Sequence, residues 1–134
     1  MAGVEGKLEI RSSEDVVRVR QAVRALAMKC GLTLVDQTKI VTAASELARN
    51  TLDYGGGGTV TLESVINGSR PGVRLKFEDQ GPGIADINLA LKDGWTTGAG
   101  LGLGLSGAKR LSSEFEIQSK VGEGTKIVVT RWKA

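Results

Sequence analysis

Glu46 and Asn50, in the stretch SELARN, stand four residues apart, a spacing that puts both on one helical face, one turn from each other. A glutamate there can take a proton from a hydroxyl, and an asparagine carbonyl is a hard oxygen ligand suited to Mg²⁺. At about 100° per residue, the pair falls at the edge of the apolar stripe of Ile40, Ala44 and Leu47, where a pocket rim would lie. The same spacing also occurs on ordinary solvated helices.

Asp79 closes the strand-like stretch VRLKFEDQGPG. Alternation puts it on the apolar face with Val73, Leu75 and Phe77, while Arg74, Lys76 and Glu78 point the other way. An inward carboxylate is costly unless donors meet it. Gly81 and Gly83, around Pro82, leave room beside it for a flat group whose amino protons could satisfy it; the alternative is an acid that caps its own turn.

Further on, Gly98, Gly100, Gly102 and Gly104 alternate with Ala99, Leu101 and Leu103 ahead of a helical segment. Bare backbone at a helix start lets amides converge on an anion, and a phosphate chain is the natural guest. The spelling G-x-G-x-x-G at Gly102, Gly104 and Gly107 is not preceded by a strand, so a dinucleotide fingerprint is excluded. A flexible surface loop is the competing use. Gly122, Glu123, Gly124 and Thr125 read in isolation as a hairpin turn, with Thr125 sharing parity with Ile127 and Val129.

These residues need elements to hold them. Lys7 to Arg11 reads as a strand, and Ser12 to Asp15 as the cap and acidic first turn of a helix with Val16, Val19, Val23 and Leu26 on one face. Gly31 ends it, and Thr33 with Asp36 forms a capping pair for a second helix running to about Tyr54. Strands are expected at Thr59 to Val65 and Val73 to Asp79, with Asn67-Gly68 and Pro71-Gly72 both read as turn signals between them. A helix at about Gly102 to Leu111 and a final hairpin, Phe115 to Val121 and Thr125 to Trp132, complete the order. Strands grouped in this way predict an α+β two-layer sandwich, its mixed, mostly antiparallel sheet covered on one face by helices.

Length and composition set the frame. The chain has 134 residues, 40% hydrophobic and 25% charged, which suits one soluble domain. No apolar run approaches the ~20 residues of a membrane span, and no secretory signal is apparent, so a cytoplasmic location is expected. There is no histidine, which removes the usual imidazole base and leaves proton handling to a carboxylate, a lysine or a metal. The charge of +3 comes with few aromatic residues and no basic block, which argues against nucleic acid. Cys30 is read as a small hydrophobe. Arg18, Arg20 and Arg24 on the first helix are a candidate docking surface for an acidic partner, against the ordinary solvated use of such residues.

Taken in order, ELARN, DQGPG, GAGLGLG and GEGT resemble the N box and the three glycine boxes of the GHKL ATPase/kinase superfamily, which has the Bergerat ATP-binding fold. Within it, VDQTKIVTAASELARN, EDQGPGI, GLGLGLSGAKRL and GEGTKI are most similar to the small bacterial serine/threonine kinases of partner-switching systems associated with stressosomes. The resemblance implies ATP and Mg²⁺ as ligands and STAS-domain proteins as phosphoacceptors. It also implies a second role, binding and activating a PP2C-type phosphatase.

By the same resemblance Glu46 is the general base, Asn50 the Mg²⁺ ligand and Asp79 the acceptor of the adenine amino group. Gly81 and Gly83 shape the adenine side, Gly98 to Gly104 wrap the phosphates, and Thr125 supports the base. Arg49, Lys109 and Arg110 are further phosphate neighbours. An anti-sigma-factor kinase, or a nucleotide-gated binding module with little kinase activity, is the alternative. TLDYGGGG after the N box, where anti-sigma kinases often carry a histidine-containing segment, speaks against direct sigma-factor binding.

Overall fold

A computed structural model describes residues 2–91 and 105–134. Strand β1 (Gly3–Ile10) is followed by helices α1 (Ser13–Lys29) and α2 (Leu34–Asp53), strands β2 (Gly58–Asn67) and β3 (Arg70–Asp79), short helix α3 (Ile87–Ala90), helix α4 (Leu105–Leu111) and strands β4 (Glu114–Lys120) and β5 (Gly124–Trp132). The five strands form one sheet in the order β1-β2-β3-β5-β4. Every pairing is antiparallel, so the expected sandwich holds and the sheet is not mixed. Helix α3 was not expected from the sequence; Asp86 caps it by accepting from the Leu89 amide.

The helix starts follow their caps. Ser12 accepts from the Asp15 amide ahead of α1, and Thr33 accepts from the Asp36 amide ahead of α2; caps of this kind contribute about 1 kcal/mol each. The apolar stripes of α1 and α2, including Val19, Val23, Ile40, Ala44 and Leu47, bury against Val60, Leu75, Phe77 and Val129 on one face of the sheet. The other face carries cross-strand charge pairs such as Lys76–Glu63 and Arg74–Glu114.

Pro71-Gly72 is not a turn. Both residues lie inside β3, Pro71 opposite Ile66 and Gly72 opposite Trp132. A Cβ on Gly72 would sit 2.6 Å from the Trp132 ring, so the glycine is there to admit an indole across the sheet. The hairpin turns at Gly68-Ser69, one residue later than the Asn67-Gly68 signal: Asn67 pairs with Arg70 at the end of the strands, and Gly68 has φ +65°.

Register sets the stage for the site. Gly58 pairs with Asp79, Asp79 with Thr125, and Thr125 with Ser119. One row across β2, β3, β5 and β4 therefore runs along the sheet edge beneath the C-terminal end of α2.

Candidate functional site

Asp79 is buried, 8% exposed, on the face predicted by alternation. Burial pushes its carboxyl above the ordinary aspartate range, partly opposed by the backbone N–H groups of Gly81 and Thr125. The Gly81 amide donates to Asp79 Oδ1 at 2.9 Å, so the turn-capping role weighed from the sequence is present as well.

The loop after Asp79 is held on two sides by contacts that only bare backbone permits. A Cβ on Gly81 would lie 2.7 Å from the Gly55 backbone, and one on Gly55 would lie 2.5 Å from the Asp79 carboxyl carbon. From the other side, the Gly122 amide donates to the Pro82 carbonyl at 2.8 Å and the Ile84 amide to Ser119 Oγ at 2.7 Å. The Tyr54 hydroxyl, at the end of α2, donates to the Gly83 carbonyl at 2.7 Å. Gly83 itself has φ +76°, and a Cβ there would meet the Lys120 carbonyl oxygen. Gly83→Ala is therefore expected to cost about 2 kcal/mol or more, read as a lower urea midpoint.

Thr125 is buried beside Asp79, its Oγ1 2.7 Å from Ser119 Oγ. Asp79, Gln80, Ile87, Ser119 and Thr125 line an open cleft of about 540 Å³, within the range of small-molecule sites.

The two helix residues separate. Asn50 is 5% exposed and its Oδ1 is buried with no hydrogen-bond partner among the described residues. The Asn50 backbone carbonyl accepts from the Gly55 amide at 3.2 Å, which ties this turn of α2 to the glycine that abuts Asp79. Glu46, one turn earlier, is exposed and lines a groove with Arg20, Gln21 and Arg24 of α1. The pair expected together at one edge therefore separates: Asn50 is buried, and Glu46 lies in a groove between α1 and α2 whose lining, among the described residues, shares no residue with the Asp79 cleft.

Arg18 is engaged by Asp15 and Glu14, so only Arg20 and Arg24 of the proposed arginine surface reach that groove. Arg49 donates to Ser13 Oγ at 3.1 Å and lies 3.9 Å from Asp53. Gly98, Ala99, Gly100, Leu101, Gly102, Leu103 and Gly104 lie outside the described residues; Lys109 and Arg110 fall in the last turn of α4.

Sequence reasoning missed Tyr54, Gly55 and Ser119. The glycine run from Gly55 to Gly58 carried a usable signal, since consecutive glycines after a helix mark close backbone approach. Ser119 and Tyr54 carried none. The Cys30 thiol is pushed up by burial, which suits the apolar role expected of it.

Helices covering one face of a five-stranded antiparallel sheet, with an open cleft at the end of β3, are the architecture of a known class of ATPase. The model of the histidine kinase-, DNA gyrase B-, and HSP90-like ATPases matches residues 35–134, and the chain belongs to that family. The serine/threonine-protein kinase RsbT of Bacillus subtilis is 45% identical over 125 residues, covering 93% of this chain and 94% of RsbT. At that similarity, along nearly the whole length, the chain is a serine/threonine-protein kinase of the family. The anti-sigma F factor of a Thermoanaerobacter species (strain X514) is 27% identical over 129 residues, 92% of this chain and 89% of that protein.

Among solved structures, the RsbU and RsbW domains of Rv1364c from Mycobacterium tuberculosis share the fold at TM-score 0.62 and 22% identity, over 96% of this chain and 33% of that one. The catalytic domain of the histidine kinase ThkA does so at 0.56 and 17%, over 96% of each chain. Among the described residues no helix is long and apolar enough to cross a membrane.

Proposed function

We propose that this kinase transfers the terminal phosphoryl group of ATP to serine or threonine side chains of STAS-domain proteins in a bacterial partner switch, and that its second output is binding and activation of a PP2C-type phosphatase. The observation that carries the nucleotide part is the buried Asp79 within its glycine cradle. An acceptor pair on a buried carboxylate suits the amino group of adenine; the close backbone packing of Gly55 and Gly81 holds that carboxylate in place, and the open cleft beside it gives a base room.

ATP supplies the transferable group, and Mg²⁺ neutralises charge on its phosphates when bound. Asn50 fits as a ligand to that cation, because its Oδ1 is buried, oriented by α2 and without a partner among the described residues. Gly98 to Gly104 are assigned to the phosphates by their glycine alternation. Glu46 is assigned as general base: it is exposed to an incoming protein, and its carboxylate takes the proton of the attacking serine hydroxyl while Asn50 and Asp79 hold the nucleotide. In a chain without histidine, a carboxylate one turn from the metal ligand is the group placed to do this.

Substrate identity rests on the likeness to RsbT, a serine/threonine-protein kinase, and the phosphatase output is assigned to the same switch. The groove of Arg20, Gln21, Arg24 and Glu46 gives an acidic partner loop a route to the base. Glu46→Gln is expected to lower phosphate transfer to a STAS-domain protein by about 10²–10⁴-fold, with ATP affinity unchanged within about twofold as read by calorimetry. Full transfer by that variant removes Glu46 from the reaction. Direct sequestration of a sigma subunit is the rival output, and co-purification of the protein with sigma would favour it.

A further inference from the structure

Ser119 Oγ meets three groups at once. The Ile84 amide donates to it at 2.7 Å, the Gly124 carbonyl lies 3.1 Å away, and Thr125 Oγ1 lies 2.7 Å away. A serine hydroxyl has one proton and two lone pairs. The Ile84 N–H takes one lone pair, and the Gly124 carbonyl, which has no proton of its own, can only accept. With the serine proton directed to Gly124, the contact with Thr125 must be filled by the threonine proton, donated to the second lone pair of Ser119.

All three contacts are then satisfied, and Thr125 turns toward the cleft with lone pairs only. Thr125 is the direct cross-strand partner of Asp79, and both are buried. Two acceptors therefore stand side by side on the cleft wall. An exocyclic amino group offers protons to such a pair, whereas a 6-oxo group opposes it with further lone pairs.

We propose that Ser119 is a positioning residue that fixes the Thr125 hydroxyl as an acceptor and so sets the preference of the site for a 6-amino over a 6-oxo purine nucleotide. The inference rests on the reading of this cleft as the purine end of an ATP site. Ser119 acts through the threonine and, by accepting from Ile84, holds the end of the loop that follows Gly83. Without Ser119 Oγ, the threonine proton is free to swing into the cleft and meet a 6-oxo oxygen.

The test is the ratio of dissociation constants for ATP and ITP, which differ in this edge of the base, measured by calorimetry on the full chain and on Ser119→Ala. The wild-type protein is expected to prefer ATP, and the variant to narrow that preference about tenfold, the equivalent of one hydrogen bond. A merely structural role weakens both nucleotides alike and leaves the ratio unmoved. An unchanged ratio, with or without weaker binding, overturns the proposal. If Ser119→Ala does not fold, Ser119→Cys keeps the volume with a poor hydrogen-bonding group and decides the same ratio. A wild-type protein that binds neither nucleotide overturns the ATP reading itself, whereas one that binds ATP while Ser119→Ala keeps the full preference overturns only the role of Ser119.

Discussion

Asp79→Asn is expected to raise the melting temperature of the nucleotide-free protein at pH 7 while weakening ATP binding about a hundredfold. The two effects have one origin. Burial raises the Asp79 carboxyl above its ordinary range, so ionising it costs the free fold more than it costs the unfolded chain. A group with a raised folded value contributes most to stability below about pH 4, the unfolded aspartate value, and loses that contribution as pH climbs through the folded one.

Asparagine has the same shape, keeps an oxygen for the Gly81 amide and carries no charge to desolvate. Its advantage should therefore appear at neutral pH and vanish near pH 3, where Asp79 is protonated as well. The binding loss comes from replacing a charged acceptor, for which a hydrogen bond contributes about 1.5–3 kcal/mol, by an amide that presents fewer lone pairs to the ligand. Thermal scans at pH 3 and pH 7, with ATP titrations at pH 7, check both parts. A variant that melts lower at both pH values, or binds ATP normally, contradicts the assignment.

Asp36→Ala should produce the largest loss of stability, about 3–5 kcal/mol. Asp36 is 1% exposed and does far more than cap α2. Its Oδ1 accepts from Arg131 Nε at 3.0 Å and Nη2 at 2.8 Å, and its Oδ2 from the Ala134 amide at 2.9 Å and the Thr33 hydroxyl at 3.0 Å. Arg131 also donates to the Leu111 carbonyl at the end of α4, at 3.4 Å. The carboxylate thus pins the start of α2 to β5, the chain end and α4.

Truncation leaves a half-buried guanidinium without its anion, and the resulting loss exceeds that of a missing cap. Burial works to raise the Asp36 carboxyl, but the Ala134 amide, Arg131 and Thr33 together hold it below the ordinary range. Its contribution is present above the unfolded value of about 4 and is lost as pH falls through the lower folded one. The denaturant midpoint of the parent should accordingly fall toward that of Asp36→Ala as the buffer is taken below pH 4, and a variant with the parent's midpoint at pH 7 would contradict the clamp.

The contrast between these two acids shows what the sequence made legible. Asp79 could be read as inward-facing because strand parity is local: Val73, Leu75 and Phe77 mark the buried face, and the acid shares it. Its glycine neighbours announced close approach. Asp36 could be read only as a capping partner of Thr33, because the rest of its role depends on Arg131 arriving from 95 positions away. No local pattern encodes that meeting.

The misreading of Pro71-Gly72 has the same cause. Pro-Gly is a strong turn signal by local rules, but Gly72 is needed to accept Trp132 from a strand at the other end of the chain. Glu46 and Asn50 were placed on one face by spacing, while the split between an exposed and a buried residue follows from how α1 and the sheet close around α2. Ser119 was invisible, since only the β4–β5 register brings it to Thr125.

The central claim is that this nucleotide site serves phosphate transfer to a protein hydroxyl. The most direct test is to incubate the purified full chain with γ-labelled ATP, Mg²⁺ and STAS-domain proteins of its source organism, and to follow label on each protein. Label is expected on a serine or threonine of a STAS-domain protein, acid-stable, matched by ADP release and lost with Glu46→Gln. ATP bound at the site with no label passed to any of these proteins, or label undiminished in the Glu46 variant, would contradict it.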